Sequence, residues 1–390
     1  MISIEKAQTL VTENTSTLKS HKLPLSQALN CVLAEDLVSP YHLPLFDQSA
    51  MDGYAINGNH DTYQVTGVIK AGDDASAVQV RNNEAVRIFT GAMIPKGTKM
   101  VVMQEKINFL GSDKITLKEQ ALSEGMNIRY SGEELKEGDL VLPKGTSMNA
   151  AAIGLASTLG ISEVEVTKRP VITIIETGSE LLQPGDRLSP GKIYASNAVM
   201  LQAILNQSGF DCTTTRVSDD LEQTEEAIKN ATETSDVVIL TGGISVGDYD
   251  FVEQALSANE VEQVFYKINQ KPGKPMYYGR KENVHVFALP GNPAATLTCY
   301  FMYVLPCLKN LSGQKNPVNN VKTAMLNSEF IRKGNRTYLL KGYYNKGVVN
   351  ILTGQSSAML SAFVDANCLI KLNGEKTHYS QGDQVECYPL

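Results

Sequence analysis

Cysteine and histidine are present only in patterns that carry little chemistry. The six cysteines (Cys31, Cys212, Cys299, Cys307, Cys368 and Cys387) stand singly in the 390 residues, with no CxxC pair. That spacing argues against a disulfide framework or a thiolate zinc site and predicts reduced, mostly buried thiols in a cytoplasmic protein. The five histidines are equally scattered, so a His-based metal centre and a Cys/His nucleophile pair have weak support. No apolar run reaches the ~18–20 residues that span a bilayer. The opening MISIEKAQTLVTENTSTLKS has early acidic residues and no continuous apolar stretch, so no signal peptide is expected. The P-loop pattern and GxGxxG are missing too, which removes the standard NTP and dinucleotide fingerprints.

Positive charge is also in short supply. The net charge is −7, and residues 311–390 hold nine Lys/Arg against five Asp/Glu, so the first 310 residues carry −11. An acidic body with a mildly basic tail argues against a general nucleic-acid binder, although it leaves room for local anion binding. Hydrophobic content of 42% and charged content of 20% are those of a folded globular chain, long enough for more than one core.

What is present falls into three stretches. Ile4, Ala7, Val11 and Leu18 recur near helical spacing and predict a first amphipathic helix. From about Tyr54 to Leu142, the short runs YQVTGVI, AVRIFTG, KMVVMQE, KITLK and DLVLP predict a small β-barrel or sandwich. NAAAIGLASTLG (149–160) returns to helix, so the β region reads as an insertion. Residues 171–311 alternate apolar strands (VITII, CTTTRV, VVIL, VFYKI, VHVFAL) with helical stretches, which predicts an α/β, doubly wound parallel sheet covered on both faces. Residues 318–390 lose the helical period, and TAMLN, TYLLKGYY, VVNILTG, CLIKLNG and QVECYPL predict a second small β-domain.

Ligands of open α/β sheets bind beyond the carboxyl ends of the strands. Here the strands lead into Glu176–Glu180, Ser218-Asp219-Asp220, TGGISVGDYD (241–250), KPGKP (271–275) and Pro290-Gly291-Asn292-Pro293. Five polar or glycine-rich segments thus meet on one edge. TGGISVG, with Gly242, Gly243, Ser245 and Gly247, offers successive backbone N–H groups before a helix, where phosphate is favoured; taken alone, such a loop is more often a tight turn. Lys271 and Lys274 sit on a proline-restrained loop with Lys267 upstream, a pattern that a solvated turn also explains. Glu180, Asp219, Asp220, Asp248 and Asp250 share the edge. Mg²⁺ needs few carboxylates when phosphate and water complete its octahedron, so these residues point to Mg²⁺-assisted phosphate-ester or pyrophosphate chemistry, with helix capping the alternative for one of Asp219 and Asp220.

In order along the chain, DQSAMDGYA, RIFTGAMIP, VVMQE, NIRYSGEE, ETGSEL, TGGISVGDYD, KPGKP and LPGNP resemble the molybdopterin molybdenumtransferases, the MoeA family of molybdenum insertases, similar to the C-terminal domain of gephyrin. The resemblance covers essentially the whole chain. It implies a cytoplasmic homodimer with an elongated helical domain (1–45 plus 143–170), an inserted β-barrel (46–142), an α/β molybdopterin-binding domain (171–315) and a C-terminal β-barrel (316–390). The implied reaction takes adenylyl-molybdopterin and molybdate, cleaves the pyrophosphate with Mg²⁺, releases AMP and leaves molybdenum on the pterin dithiolene. Molybdopterin adenylyltransferase and molybdoenzyme apoproteins are implied partners.

Carried over residue by residue, Asp52, Thr90 and Arg129 would be the contribution of the N-terminal half, and Glu180, Asp219 or Asp220, and Asp250 would line the carboxylate edge. Lys267, Lys271 and Lys274 would neutralise phosphate or molybdate, Pro290 and Pro293 would shape the pterin-side loop, and Arg336 and Ser357 would hold molybdate. By the same resemblance, the cleft is expected between the α/β and C-terminal domains of one protomer and the inserted domain of the other. Two positions depart from the family pattern: Glu134 stands where many relatives have Asp, and Ala295 replaces a common Ser. A non-catalytic pterin-binding or scaffolding member of the same fold is the alternative; retention of Asp52, Thr90, Glu180, Asp250 and the three lysines favours an enzyme.

Overall fold

The computed structural model describes residues 1–118, 121–244, 251–315 and 321–390. The chain divides into two units, one of Met1–Ala34, Gly145–Ala150 and Glu163–Leu390, the other of Glu35–Lys144 and Ala151–Ser162.

The first unit is organised by a six-stranded sheet in the order Cys212–Val217, Ile172–Thr177, Val237–Thr241, Val284–Leu289, Tyr277–Lys281, Glu262–Tyr266. Ile172–Thr177 and Val237–Thr241 are buried along their whole length, as strands covered on both faces must be. Ile172, Ile174, Val237 and Ile239 face a core shared with the helices Ile4–Glu13 and Asn197–Gln207 and the helical stretch from Pro293 to Leu311. Ile175, Val238 and Leu240 face the opposite core, with Ile228 of Leu221–Thr234 and Val252 and Leu256 of Val252–Ala258. The alternation is the two-residue period of a strand.

The sheet is mixed, where a parallel one was expected. Tyr277–Lys281 runs antiparallel to both of its neighbours. The inserted strand leaves Glu262–Tyr266 running in the same sense as the four parallel strands, so its loop still reaches the expected edge. The first helix ends at Glu13 and does not reach Leu18. Asn14 Nδ2 donates to the Leu10 carbonyl at 2.8 Å and Thr15 Oγ1 to that of Val11 at 2.7 Å, so a polar run that competes for backbone groups stops the helix.

The end of the chain folds into a closed five-stranded barrel of Lys322–Leu326, Thr337–Asn345, Val348–Ile351, Cys368–Leu372 and Gln384–Pro389, in which the first and last strands of the row pair through Thr337–Asn345 and Cys368–Leu372. Closure leaves no free edge. Lys371 joins the barrel to the first helix, its Nζ lying 2.7 Å from Glu5 Oε1 and 2.8 Å from Glu386 Oε2.

The second unit is built on a six-stranded sheet in the order Met100–Met103, Gly53–Ile56, Glu84–Ile88, Tyr63–Ile69, Lys114–Leu117, Ile107–Leu110. Tyr54, Ile56 and Tyr63 pack on one side and Ala55, Ile69 and Val86 on the other.

Candidate functional site

Two adjoining cavities open at the carboxyl ends of the first unit's parallel strands. One, of about 630 Å³, is lined by Glu176, Glu180, Asp219, Thr241, Gly242, Gly243, Asn197 and the Pro290–Pro293 turn. The other, of about 730 Å³, is lined by Lys271, Lys274, Arg336, Tyr338, Gln355, Ser356 and Ser357. Pro275, Pro290 and Asn292 line both. Among the described residues the first cavity has no Lys or Arg in its wall and the second has no Asp or Glu. Charge is thus sorted by sign between neighbouring spaces.

The acidic cavity is shaped by backbone. Gly242 and Gly243 follow Val237–Thr241 with φ of +90° and +60°, conformations that glycine adopts without penalty. A Cβ on either would come within 2.9 Å and 3.1 Å of Thr177 Oγ1. Asp219 is held by Ser179, and Asp220 accepts from the Gln223 N–H at 2.9 Å as the N-cap of Leu221–Thr234. Only Asp219 of the pair lines the cavity; Asp220 caps the helix. Glu176 is buried and its Oε2 lies 3.2 Å from Arg216 Nη2.

The basic cavity has one wall from the KPGKP loop and one from the barrel. Lys271 Nζ lies 3.4 Å from the Tyr338 hydroxyl and 4.8 Å from the ring centroid. Beneath the loop, the fully buried Gln270 donates to the Gly273 carbonyl at 3.2 Å and accepts from the Tyr303 hydroxyl. On the barrel side, Ser357 accepts from the Ala294 N–H through its carbonyl at 3.1 Å and from Asn292 Nδ2 through Oγ at 3.1 Å. Ala295 has no hydroxyl to offer, but its N–H donates to the Asn292 carbonyl at 2.9 Å.

Sequence reasoning missed the buried cations that set these loops. Lys341 is 2% exposed, and its Nζ donates to the carbonyls of Gly354, Ser356 and Met359 at 2.6, 3.1 and 3.1 Å; burial pushes its ammonium down in pKa. Arg332 donates to the carbonyls of Gly334 and Arg336 at 2.7 and 2.8 Å and so fixes the turn that carries Arg336. Nothing in a single sequence distinguishes such lysines and arginines from solvated ones.

In the second unit, the Thr90 N–H and hydroxyl both donate to Asp52 Oδ1, at 2.8 and 2.9 Å. These bonds, the backbone one first, hold the Asp52 carboxyl below the usual carboxylate range. Arg129 Nη2 lies 3.7 Å from Glu134 Oε2, and both line a cavity of about 310 Å³ with Gln48. The longer acid at 134 is engaged with that arginine.

The structure therefore brings Glu180, Asp219, Gly242, Gly243, Pro290, Gly291, Asn292 and Pro293 together, and Lys271, Lys274, Arg336 and Ser357 beside them. Lys267 lines neither cavity; it has φ of +67° in the turn after Glu262–Tyr266 and holds its Nζ 4.3 Å from the Tyr266 ring centroid. Ser245, Gly247, Asp248 and Asp250 lie outside the described residues. Among the described residues, no group of three or more His, Cys, Asp or Glu is gathered for a metal, and no helix is long and apolar enough to cross a membrane.

Fold and site define a class: a multidomain α/β protein whose strand-end cleft sets an acidic cavity beside a basic one. Three family models match, the MoeA N-terminal region (domain I and II) over residues 2–160, the probable molybdopterin binding domain over 173–310 and the MoeA C-terminal region (domain IV) over 323–390. Molybdopterin molybdenumtransferases of Staphylococcus aureus (strain Mu50) and Staphylococcus epidermidis (strain ATCC 12228) are each 33% identical over 399 aligned positions, covering 99% of this chain and 94% of theirs. The crystal structure of the molybdopterin biosynthesis moeA protein from Pyrococcus horikoshii OT3 superposes with a TM-score of 0.81 at 27% identity over the whole of both chains. The chain belongs to the MoeA family and is an enzyme of molybdenum cofactor biosynthesis, a transferase of the molybdopterin molybdenumtransferase type.

Proposed function

We propose that the protein inserts molybdate into adenylyl-molybdopterin, breaking the pyrophosphate and releasing AMP, so that molybdenum remains on the pterin dithiolene. The observation that carries this is the sorting of charge between two adjoining cavities, which suits a substrate with an anionic group and a second, uncharged or metal-paired end. Lys271, Lys274 and Arg336 provide charge-assisted hydrogen bonds to molybdate or phosphate oxygens. Ser357, held against Asn292, adds a hydroxyl beside them. The Pro290–Pro293 turn lines both cavities and orients what bridges them.

The donor chemistry of Glu180 and Asp219, two carboxylates in one cavity wall, fits Mg²⁺, which accepts few protein carboxylates when phosphate and water supply the rest. When bound there, Mg²⁺ would neutralise charge on the pyrophosphate. Asp52, held as a carboxylate by Thr90, and Arg129 with Glu134 belong to the inserted domain, and in this reading they complete a site of the partner protomer in a homodimer. The protein works in the cytoplasm, receiving its substrate from a molybdopterin adenylyltransferase and passing its product to molybdoenzyme apoproteins.

The test is turnover. Enzyme given adenylyl-molybdopterin releases AMP when molybdate and Mg²⁺ are added. Binding of the pterin nucleotide without any AMP release under those conditions favours the non-catalytic scaffolding reading.

A further inference from the structure

Lys341 carries a buried charge that the protein does not balance. It lies in Thr337–Asn345, and its Nζ is enclosed by the carbonyls of Gly354, Ser356 and Met359 and by the Phe363 ring, whose centroid is 5.6 Å away. Among the described residues, no carboxylate forms an ion pair with it. A buried ammonium is costly unless hydrogen bonds and an opposite charge compensate it. Here the hydrogen bonds are complete, since an ammonium has three N–H donors. The charge is left standing behind a cavity whose wall already holds Lys271, Lys274 and Arg336 and, among the described residues, no Asp or Glu.

The same three bonds fix what the turn offers to that cavity, which Gln355, Ser356 and Ser357 line. In a trans peptide the N–H points opposite to the C=O. Drawing the Gly354 and Ser356 carbonyls toward Lys341 therefore sets the N–H groups of Gln355 and Ser357 on the far side of their peptide planes from the ammonium. Neither N–H donates to an acceptor among the described residues. The turn is pinned from two further directions. The Gln355 side chain accepts from the Lys341 N–H at 3.0 Å and donates to the Lys341 carbonyl at 2.9 Å. The Ser357 carbonyl accepts from the N–H groups of Ala294 and Ala295 at 3.1 and 3.3 Å. Ser357 Oγ accepts from Asn292 Nδ2, which leaves its own hydrogen to donate. Main-chain N–H groups beside a hydroxyl are donors that suit an oxyanion, as in backbone nests.

We propose that Lys341 is a positioning residue for anion binding: by gathering the carbonyls of Gly354, Ser356 and Met359 behind the turn, it sets the N–H groups of Gln355 and Ser357 as donors to a tetrahedral oxyanion in the basic cavity, and its charge supports that anion without touching it. This rests on the functional reading above. Molybdate and the substrate's phosphate share the chemistry, and the experiment separates them.

Lys341→Met keeps the length of the side chain and removes the charge and its donors, whereas Lys341→Arg keeps both. Titration calorimetry with sodium molybdate and with inorganic phosphate is run on wild type and on both variants, each shown to be folded by thermal denaturation. Lys341→Met is expected to weaken the bound anion about tenfold or more, and Lys341→Arg to stay within about threefold of wild type. Loss confined to molybdate assigns the turn to molybdate, and loss confined to phosphate assigns it to the substrate's phosphate. In turnover, the molybdate concentration giving half-maximal AMP release should rise in Lys341→Met while the maximal rate per folded molecule stays within about twofold, if molybdate is the anion. A merely structural lysine would lower stability and leave anion affinity alone, so a folded Lys341→Met that binds both anions like wild type overturns the proposal. Should Lys341→Met not fold, wild type labelled with [15N]serine gives the answer: the Ser357 amide resonance, assigned by its loss in Ser357→Ala, is expected to shift at saturating molybdate or phosphate, and a resonance that neither anion moves overturns the proposal. If wild type still releases AMP in either overturning case, the functional reading stands without Lys341. A wild type that binds neither anion and releases no AMP contradicts both.

Discussion

Ser179 and Asp219 exchange two hydrogen bonds across neighbouring strand ends: the Ser179 N–H donates to Asp219 Oδ2 at 2.8 Å and the Asp219 N–H to Ser179 Oγ at 2.9 Å. The pair clamps an acid in the cavity wall, whereas its neighbour Asp220 caps a helix. The two aspartates should therefore fail differently. Asp219→Asn keeps an oxygen for the Ser179 N–H, so stability stays within about 0.5 kcal/mol, while AMP release falls at least about tenfold with the lost charge. Asp220→Ala should lower stability by about 1 kcal/mol with activity per folded molecule kept. Thermal denaturation and AMP assays on both variants check this, and a fully active Asp219→Asn removes that carboxylate from the chemistry.

The lysines divide in the same way. Lys274→Ala takes a cation from the wall of the basic cavity, a contact worth roughly 1.5–3 kcal/mol, and should weaken molybdate or substrate use about ten- to a hundredfold. Lys267→Ala should change it little, since Lys267 packs on Tyr266 outside both cavities. Equal losses in the two variants would refute the assignment.

Hybrid dimers test the shared site. A mixture of Asp52→Ala and Glu180→Ala chains, each inactive alone, should regain activity after subunit exchange, because one class of site then has both residues. A mixture that stays inactive after verified exchange places both residues in sites formed within single chains.

His285 is 1% exposed, with Nδ1 2.9 Å from the Tyr278 hydroxyl. Burial, with Arg280 adding to it, pushes its pKa from 6.5 to about 4. The unfolded chain then binds the proton first, so stability falls as pH drops from 6.5 to about 4, by up to ~1.4 kcal/mol per unit and ~3 kcal/mol in all. Urea melts across that range should be less pH-dependent in His285→Gln. An unaltered slope would mean that other groups set it.

Much of this was legible in the sequence because apolar strands announce themselves and their carboxyl ends can be read off directly. Ile172–Thr177 and Val237–Thr241 lead into the acidic wall as their spacing implied. Tyr277–Lys281 was not legible: YYGRK has no apolar run, and its place depends on pairing with Val284–Leu289. The φ of +67° at Lys267, unusual for a side-chain-bearing residue, is invisible in a sequence. Lys341 and Gln270 hold the loops of the basic cavity from positions that only tertiary packing defines.

We propose that pyrophosphate cleavage and molybdenum transfer are one coupled event in the paired cavities. A single-turnover experiment tests it most directly, following AMP and pterin-bound molybdenum together after molybdate is added to enzyme loaded with adenylyl-molybdopterin, with Mg²⁺ and again with EDTA. Both products should appear at the same rate, one AMP per molybdenum, and neither should appear in EDTA. AMP release without molybdenum transfer, or full release from metal-stripped enzyme, would contradict it.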